Sequence, residues 1–310
     1  MPFDFATVSA PFRMQPGLRR LASGATHLTP NRLGDRALVE KLGVLSAHPQ
    51  QALLIASGFD ATPALRALAH HAAAEHPDAF AWDGADHWHA RHLGWALQHD
   101  LPIGDGPPEI GACLRALPAE WRAAALLALA FAEDFAIIDG ASARIPWLAV
   151  CLPSHWAPED KIGRHFAQVH APVADNQMLI TASDHLARLV TGTDRWERFV
   201  WTITRHPQLS QHPVRCDPAP WPVDADADEL AARAFFRTER QTFIPLPGSA
   251  QAVFTIHVEM HPLAHVANNP AQAQALHAAL SSMSDAVLAY RGLSAARGRL
   301  LDWLAARSRA

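Results

Sequence analysis

The densest concentration of chemistry-bearing side chains is the stretch Cys151-Leu-Pro-Ser-His-Trp-Ala-Pro-Glu-Asp-Lys-Ile-Gly-Arg-His-Phe-Ala-Gln-Val-His-Ala-Pro-Val173. It holds His165 and His170. Imidazole changes charge near neutral pH and is the commonest metal ligand. The two lie five residues apart, so on an ideal helix they diverge by about 140° and do not face one ligand together. His170 ends the predicted helix, just before Ala171-Pro172. There it can project from the last turn onto a flat cofactor, or donate to a free carbonyl as a cap. The spacing leaves both open. The negative end of the helix dipole favours its charged form.

A second constellation is Phe236-Arg-Thr-Glu-Arg-Gln-Thr242. As a strand, it places Arg237, Glu239 and Gln241 on one face and Thr238, Arg240 and Thr242 on the other. A polar face on a central strand is costly unless it lines a wet pocket or finds partners. A carboxylate flanked by an amide can hold a small cation; an exposed face laced by Arg–Glu pairs is the plainer alternative. In His257-Val-Glu259-Met-His261, alternation puts two imidazoles and a carboxylate on one side, the ligand set of a non-haem iron triad. Same-face neighbours stand ~6.5 Å apart along a strand, so sharing one ion requires a bend. Asp86-His87-Trp-His89-Ala-Arg-His92, with His99 beyond, reads as a helix bringing His89 and His92 together for zinc, or as a polar helix surface. His70-His71 and Glu75-His76 read as surface in the same way. Ser281-Ser282-Met-Ser284 has no base partner.

These residues need elements to hold them. Helical spacing runs over Asp35–Leu45, Thr62–Glu75, Asp86–His99 and Pro118–Ala132. Phe135–Asp139 and Ile145–Leu152 form a hairpin around Gly140-Ala-Ser-Ala. Pro158-Glu159-Asp160 starts a helix that carries Ile162, Phe166 and Val169 and ends at Pro172. A second helix covers Met178–Val190. Strands follow at Phe199–Thr204, Ala234–Ile244 and Ala252–Met260, and helix returns over Ala271–Ala306. Between 135 and 262 the order is strand, strand, helix, helix, strand, strand, strand. That is the order of a PAS-like five-stranded antiparallel sheet with helices inserted after its second strand. The expected class is α+β in a single domain: a mainly helical N-terminal flank (1–134), the PAS-like core (135–262) and a C-terminal helical segment (263–310).

Composition bounds the function. The chain has 310 residues with 49% apolar and 18% charged, which argues against intrinsic disorder. Its net charge of −4 and lack of a basic stripe argue against nucleic acid. No apolar run reaches the ~20 residues of a membrane span. Met1-Pro-Phe-Asp-Phe lacks the basic and apolar regions of a signal peptide. The three cysteines are scattered, without CxxC or iron–sulfur spacing, and fit a reducing cytoplasm. Histidine occurs 19 times, enough to permit metal or haem chemistry. No GxxxxGK[ST], strand-coupled GxGxxG or GxSxG motif occurs.

Several segments in order carry a family resemblance. They are Pro11-Phe-Arg-Met-Gln-Pro-Gly-Leu-Arg-Arg-Leu21, Glu133-Asp-Phe-Ala-Ile-Ile138, the run 151–164, Val169-His-Ala-Pro-Val173, Thr238-Glu-Arg-Gln-Thr242 and Val253-Phe-Thr-Ile256. Together they resemble the haem-dependent oxidative N-demethylase family, alpha-subunit type, with 151–173 the most specific block. The resemblance implies a b-type haem on a PAS-like fold. It also implies oxidation of a small secondary amine such as dimethylamine with O₂, and electrons from reductase subunits carrying FMN, 2Fe–2S and NADPH. It implies His170 as proximal ligand, with His165 second, Arg164 and Trp201 beside the cofactor, and Glu239, Arg240 and Gln241 in the distal pocket. Two departures stand out. Val200 replaces the expected Asn before Trp201, and His257-Val-Glu259 replaces an expected Arg-Thr-Tyr; they predict a pocket of different polarity. A PAS-like haem or small-molecule sensor, and a metalloenzyme using His257, Glu259 and His261, are the competing expectations.

Overall fold

The computed structural model describes residues 3–309; Met1 and Pro2, on which part of the signal-peptide reading rests, lie outside them. Eleven strands form two antiparallel sheets. In chain order they are β1 (Arg19–Arg20), β2 (Leu53–Ile55), β3 (Phe80–Trp82), β4 (His87–Ala90), β5 (Trp95–Gln98), β6 (Leu101–Gly104), β7 (Asp134–Asp139), β8 (Arg144–Ala149), β9 (Trp196–Thr204), β10 (Phe235–Pro245) and β11 (Gln251–Pro262). The large sheet runs β1-β9-β10-β11-β7-β8-β2 and the small one β3-β4-β5-β6. The architecture is therefore α+β, but the main sheet has seven strands, not five. The five expected strands form its centre. β1 adds to one edge through Arg19 opposite Glu197, and β2 to the other through Leu53 opposite Ala149. A two-residue and a three-residue pairing leave too faint a periodicity to read from sequence.

The N-terminal stretch carries the small sheet among its helices. Asp86–His99 is a pair of strands, not a helix. The chain reverses within it at Arg91–Gly94, where Gly94 takes left-handed backbone (φ 67°), and again at the two-residue turn His99-Asp100 (φ 48° and 61°) that joins β5 to β6. The helical spacing invoked for His89 and His92 with Asp86 therefore does not exist. Asp86 instead pairs with His99 at 3.1 Å on the surface. Helix Thr62–Glu75 forms as expected, with Pro63 in its first turn and Ala64, Leu68, Ala69 and Ala72 buried. It shares a core cluster with the very apolar helix Ala119–Ala130 and with Phe135, Ile137 and Trp147 of β7 and β8.

The predicted helix from Pro158 to Pro172 is broken. Pro158–Asp160 is one 3₁₀ turn, and α-helix resumes only at Phe166–His170. Gly163 between them has φ +67°, a left-handed residue that no α-helix continues through. The second inserted helix is likewise two short ones, Gln177–Thr181 and Ser183–Val190. Helices Pro270–Ser281, Asp285–Tyr290 and Arg297–Arg307 pack a second core against Trp201, Ile203 and Phe236.

A buried ion pair ties the N-terminal helices to the sheet. Lys41 is wholly buried. Its ammonium donates to the carbonyls of Phe131 and Glu133 and lies 3.3 Å from the Asp134 carboxylate at the start of β7. Asp134 also accepts from the Leu152 N–H at 2.6 Å. Removing one partner strands the other charge away from water. Lys41→Met is expected to lower stability by about 3–5 kcal/mol in urea unfolding; a loss below 1 kcal/mol contradicts the anchoring role.

Candidate functional site

The sheet curves around a cavity of about 1040 Å³, at the upper end of the roughly 300–1,000 Å³ range of ligand pockets. Strand alternation decides which residues reach it. From β10 come Arg237, Glu239, Gln241 and Phe243; from β9, Arg198, Val200 and Thr202; from β11, Phe254 and Ile256. The register agrees: Arg237 stands opposite Thr202, Glu239 opposite Val200, and Gln241 opposite Arg198. The polar face of the 236–242 segment is thus turned into a cavity, and the exposed-face alternative is excluded.

Those polar groups form one network. Arg237 is 1% exposed. It donates to Ser154 Oγ at 2.8 Å, to the Leu209 carbonyl at 2.8 Å and to the Leu152 carbonyl at 3.0 Å. Ser154 Oγ donates in turn to one Glu239 oxygen, and Gln241 donates to the other at 2.6 Å. Burial lowers the Arg237 pKa to about 10, which leaves it charged at neutral pH. Both Glu239 oxygens hold neutral donors, and each keeps spare acceptor capacity for a cationic ligand.

His170 lines the cavity from the opposite wall. Its Nδ1 lies 2.9 Å from the Phe166 carbonyl; since a carbonyl only accepts, Nδ1 carries the proton. Nε2 then holds a free lone pair, with no protein partner among the described residues. This is how a metal-binding imidazole is oriented, its second nitrogen fixed by a backbone acceptor. The cap reading is therefore half right, because the capping nitrogen and the free one belong to the same ring. Burial first, and the charges of Arg198 and Lys161 after it, push the pKa down to about 4. The expected charged form is corrected: desolvation outweighs the dipole of a five-residue helix.

The structure places the remaining candidates as follows. Trp201 borders the cavity but pairs with Thr238 on the far face of the sheet, where its ring packs on Phe12 and Phe236; Arg291 donates to its carbonyl at 2.7 Å. His165 does not reach the cavity. It caps helix Phe166–His170, accepting from the Ala167 N–H at Nδ1 while Nε2 meets Asp184 at 2.9 Å. With both nitrogens engaged it is not a ligand. Arg164 is exposed and outside the lining, because the turn at Gly163 swings it outward. Arg240 lies on the far face of β10, held by Glu197 at 3.0 Å and the Thr26 carbonyl at 2.9 Å. Its role is structural, as the alternation requires.

His257 and Glu259 share that far face, away from the cavity. His257 Nδ1 lies 3.4 Å from Glu133, and among the described residues the groups close enough to share an ion do not include His257, Glu259 or His261. The triad is not assembled. The departure at 257–259 therefore leaves the pocket untouched, whereas Val200 lies in it directly opposite Glu239.

Several lining residues had no sequence signal. Arg198 is the clearest: its Nε is buried without a hydrogen-bond partner. Only the β9–β10 register, which no local pattern reveals, puts it beside Gln241. Ser154 stood inside the 151–164 block without a partner to mark it. His155, His206 and Cys216 meet on the wall formed by the loop after β9.

The cavity, with an imidazole whose Nε2 is unpartnered on one wall and a half-buried carboxylate–amide pair on the other, is a candidate ligand site in an α+β protein. A sequence model of the family described as haem-dependent oxidative N-demethylase, alpha subunit-like, matches residues 37–301. The chain belongs to this family.

His170 carries a pH signature. The unfolded chain protonates it near pH 6.5, and the folded chain only near pH 4. Stability contributed by refusing that proton does not exist; instead stability is lost as pH falls from 6.5 to 4, and is indifferent to His170 above that window. In cofactor-free protein the Tm is expected to drop across pH 6.5–4, with a shallower drop in His170→Gln. Identical slopes would refute the assignment.

Proposed function

We propose that the chain carries a b-type haem and oxidises a small secondary amine of the dimethylamine class with O₂, drawing electrons from separate reductase subunits bearing FMN, 2Fe–2S and NADPH. The observation that carries this reading is His170: a neutral imidazole, anchored at Nδ1, whose Nε2 is free on the wall of a cavity that also holds Glu239. The five central strands with helices inserted after the second support a PAS-like core. Three free cysteines suit a reducing cytoplasm, and no described helix is long and apolar enough to cross a membrane.

The residues present fit a haem. His170 would hold the iron. Arg198, with its unpartnered Nε, and Lys161, both near enough to act on His170, are cations suited to propionate carboxylates. Phe166, Val169, Leu148 and Ile138 supply apolar wall. When bound, the haem supplies the oxygen chemistry.

The chain's own residues manage the substrate. Glu239, braced by Ser154 and Gln241, attracts the ammonium of the amine and fixes its nitrogen. The same carboxylate oxygen accepts the ammonium proton as the amine is oxidised. Arg237 holds Ser154 in place and offsets the buried negative charge. Val200, facing Glu239, gives the N-methyl groups an apolar contact where an amide would have offered a polar one. This favours amines bearing alkyl over hydroxylated substituents.

The test is absorption spectroscopy on protein expressed with a haem precursor. Wild type is expected to show a Soret band that shifts with dimethylamine. His170→Ala is expected to lose haem while staying folded. Glu239→Gln is expected to keep haem, lose the amine-induced shift and lower kcat/KM by about 100-fold or more under reductase supply. Haem retained with an unchanged spectrum in His170→Ala would reject the ligand assignment. Haem and amine binding without aldehyde product would make the chain a binding protein.

A further inference from the structure

We propose that His155, His206 and Cys216 form a binding site for a zinc-like divalent ion on the cavity wall, separate from His170. One ligand atom of each lies within 4.8 Å of the other two. Two imidazoles and a thiol are a donor set for borderline-soft transition ions, and exclude the oxygen-seeking Mg²⁺ and Ca²⁺. Zinc–nitrogen and zinc–sulfur bonds of about 2.0–2.3 Å put tetrahedral ligand atoms roughly 3.3–3.8 Å apart.

The backbone has already brought the three together. His155 has φ +59°, a left-handed conformation rare for a residue with a side chain and costly enough to need support. Gln211 supplies it. The Gln211 carbonyl accepts the His155 N–H at 2.9 Å, and the Gln211 N–H donates to Pro153 at 2.8 Å. The amide of Gln211 reaches back to the His206 carbonyl at 3.2 Å. One residue thus joins the loop just past β9, which bears His206, to the turn bearing His155. Cys216 is fixed separately by its N–H to the His212 carbonyl at 3.0 Å. The two rings stand 5.1 Å apart between centroids.

His155 is exposed and His206 and Cys216 are half-buried, so an ion can reach all three from solvent. Ligation by Cys216 releases one proton to solvent. Of the nearby cations, Arg205 is paired with Asp217 at 3.3 Å and Arg237 is held by carbonyls and Ser154. Three protein ligands leave a fourth position open, as in zinc sites that take water or substrate, not closed structural ones. Because all three residues line the cavity, that position opens onto it.

The experiment uses the full chain, stripped of metal and expressed without haem precursor, titrated with Co²⁺ and then back-titrated with Zn²⁺. The expected result is one equivalent bound, a thiolate-to-cobalt charge-transfer band, and displacement of that band by Zn²⁺. Cys216→Ser is expected to abolish the band. His206→Ala is expected to weaken Zn²⁺ binding by more than the roughly 10–100-fold that loss of an outer-shell partner costs. Thermal melts of both variants confirm folding. Should either variant not fold, His155→Asn provides the same comparison. Substoichiometric binding, or a charge-transfer band that survives in Cys216→Ser, overturns the site. Binding without any thiolate band also overturns it, by placing the ion on the other histidine cluster, at His27, His71 and Glu75. The readout needs no haem, so its failure leaves the His170 assignment standing.

Discussion

The strand that must bury charge sets the terms for everything around it. β10 runs inside the sheet, between β9 and β11, yet every residue from 237 to 242 is polar. A buried guanidinium beside a half-buried carboxylate is tolerable only when its N–H groups find partners. The partners come from distant segments: Ser154 from the loop after β8, and the carbonyls of Leu152 and Leu209 from two others. Satisfying Arg237 therefore folds the 150s and the 205–218 loop against the same strand. The cavity is the space those loops enclose, and its polar end is fixed before any ligand arrives.

The opposite wall is built by another logic. His170 sits on a helix too short to be stable alone, held by hydrogen bonds from outside it. Lys161 donates to the Val169 carbonyl at 2.9 Å, and Asn176 donates to the His170 and Ala171 carbonyls at 3.0 and 2.8 Å. The N-terminal helices contribute at a distance. They cover the back of β7 and β8 and anchor Asp134 with Lys41, so the sheet presents only one face to the cavity.

Much of this was legible in the chain. The strand alternation of 236–242 correctly separated Glu239 and Gln241 from Arg240, although the family resemblance alone grouped all three. The five strands between 135 and 262 came in the expected order, because each is long or strongly apolar, but a short helix, Ala227–Ala232, stands between β9 and β10 where a loop was expected. What failed depended on single backbone angles or remote pairing. Gly163 cuts a helix that its flanking residues favour. The turn at Arg91–Gly94, with Gly94 at φ +67°, folds a histidine-rich segment into a hairpin, and strand pairing overrode its helical spacing. Arg198 enters the cavity through strand register, and His206 and Cys216 through one glutamine 50-odd residues from His155 in sequence; no local window contains either fact. The two departures noted at the outset also separate only in three dimensions, one facing the pocket and the other facing away from it.

The break at Gly163 has a consequence for assembly. A continuous helix from 158 to 170 would move only as a rigid rod packed on the sheet. Split as it is, the piece bearing His170 can detach by giving up a handful of hydrogen bonds, at a free-energy cost well below that of opening the sheet. Any opening of that wall of the cavity is then a local event that leaves the β-scaffold and its ion pairs intact.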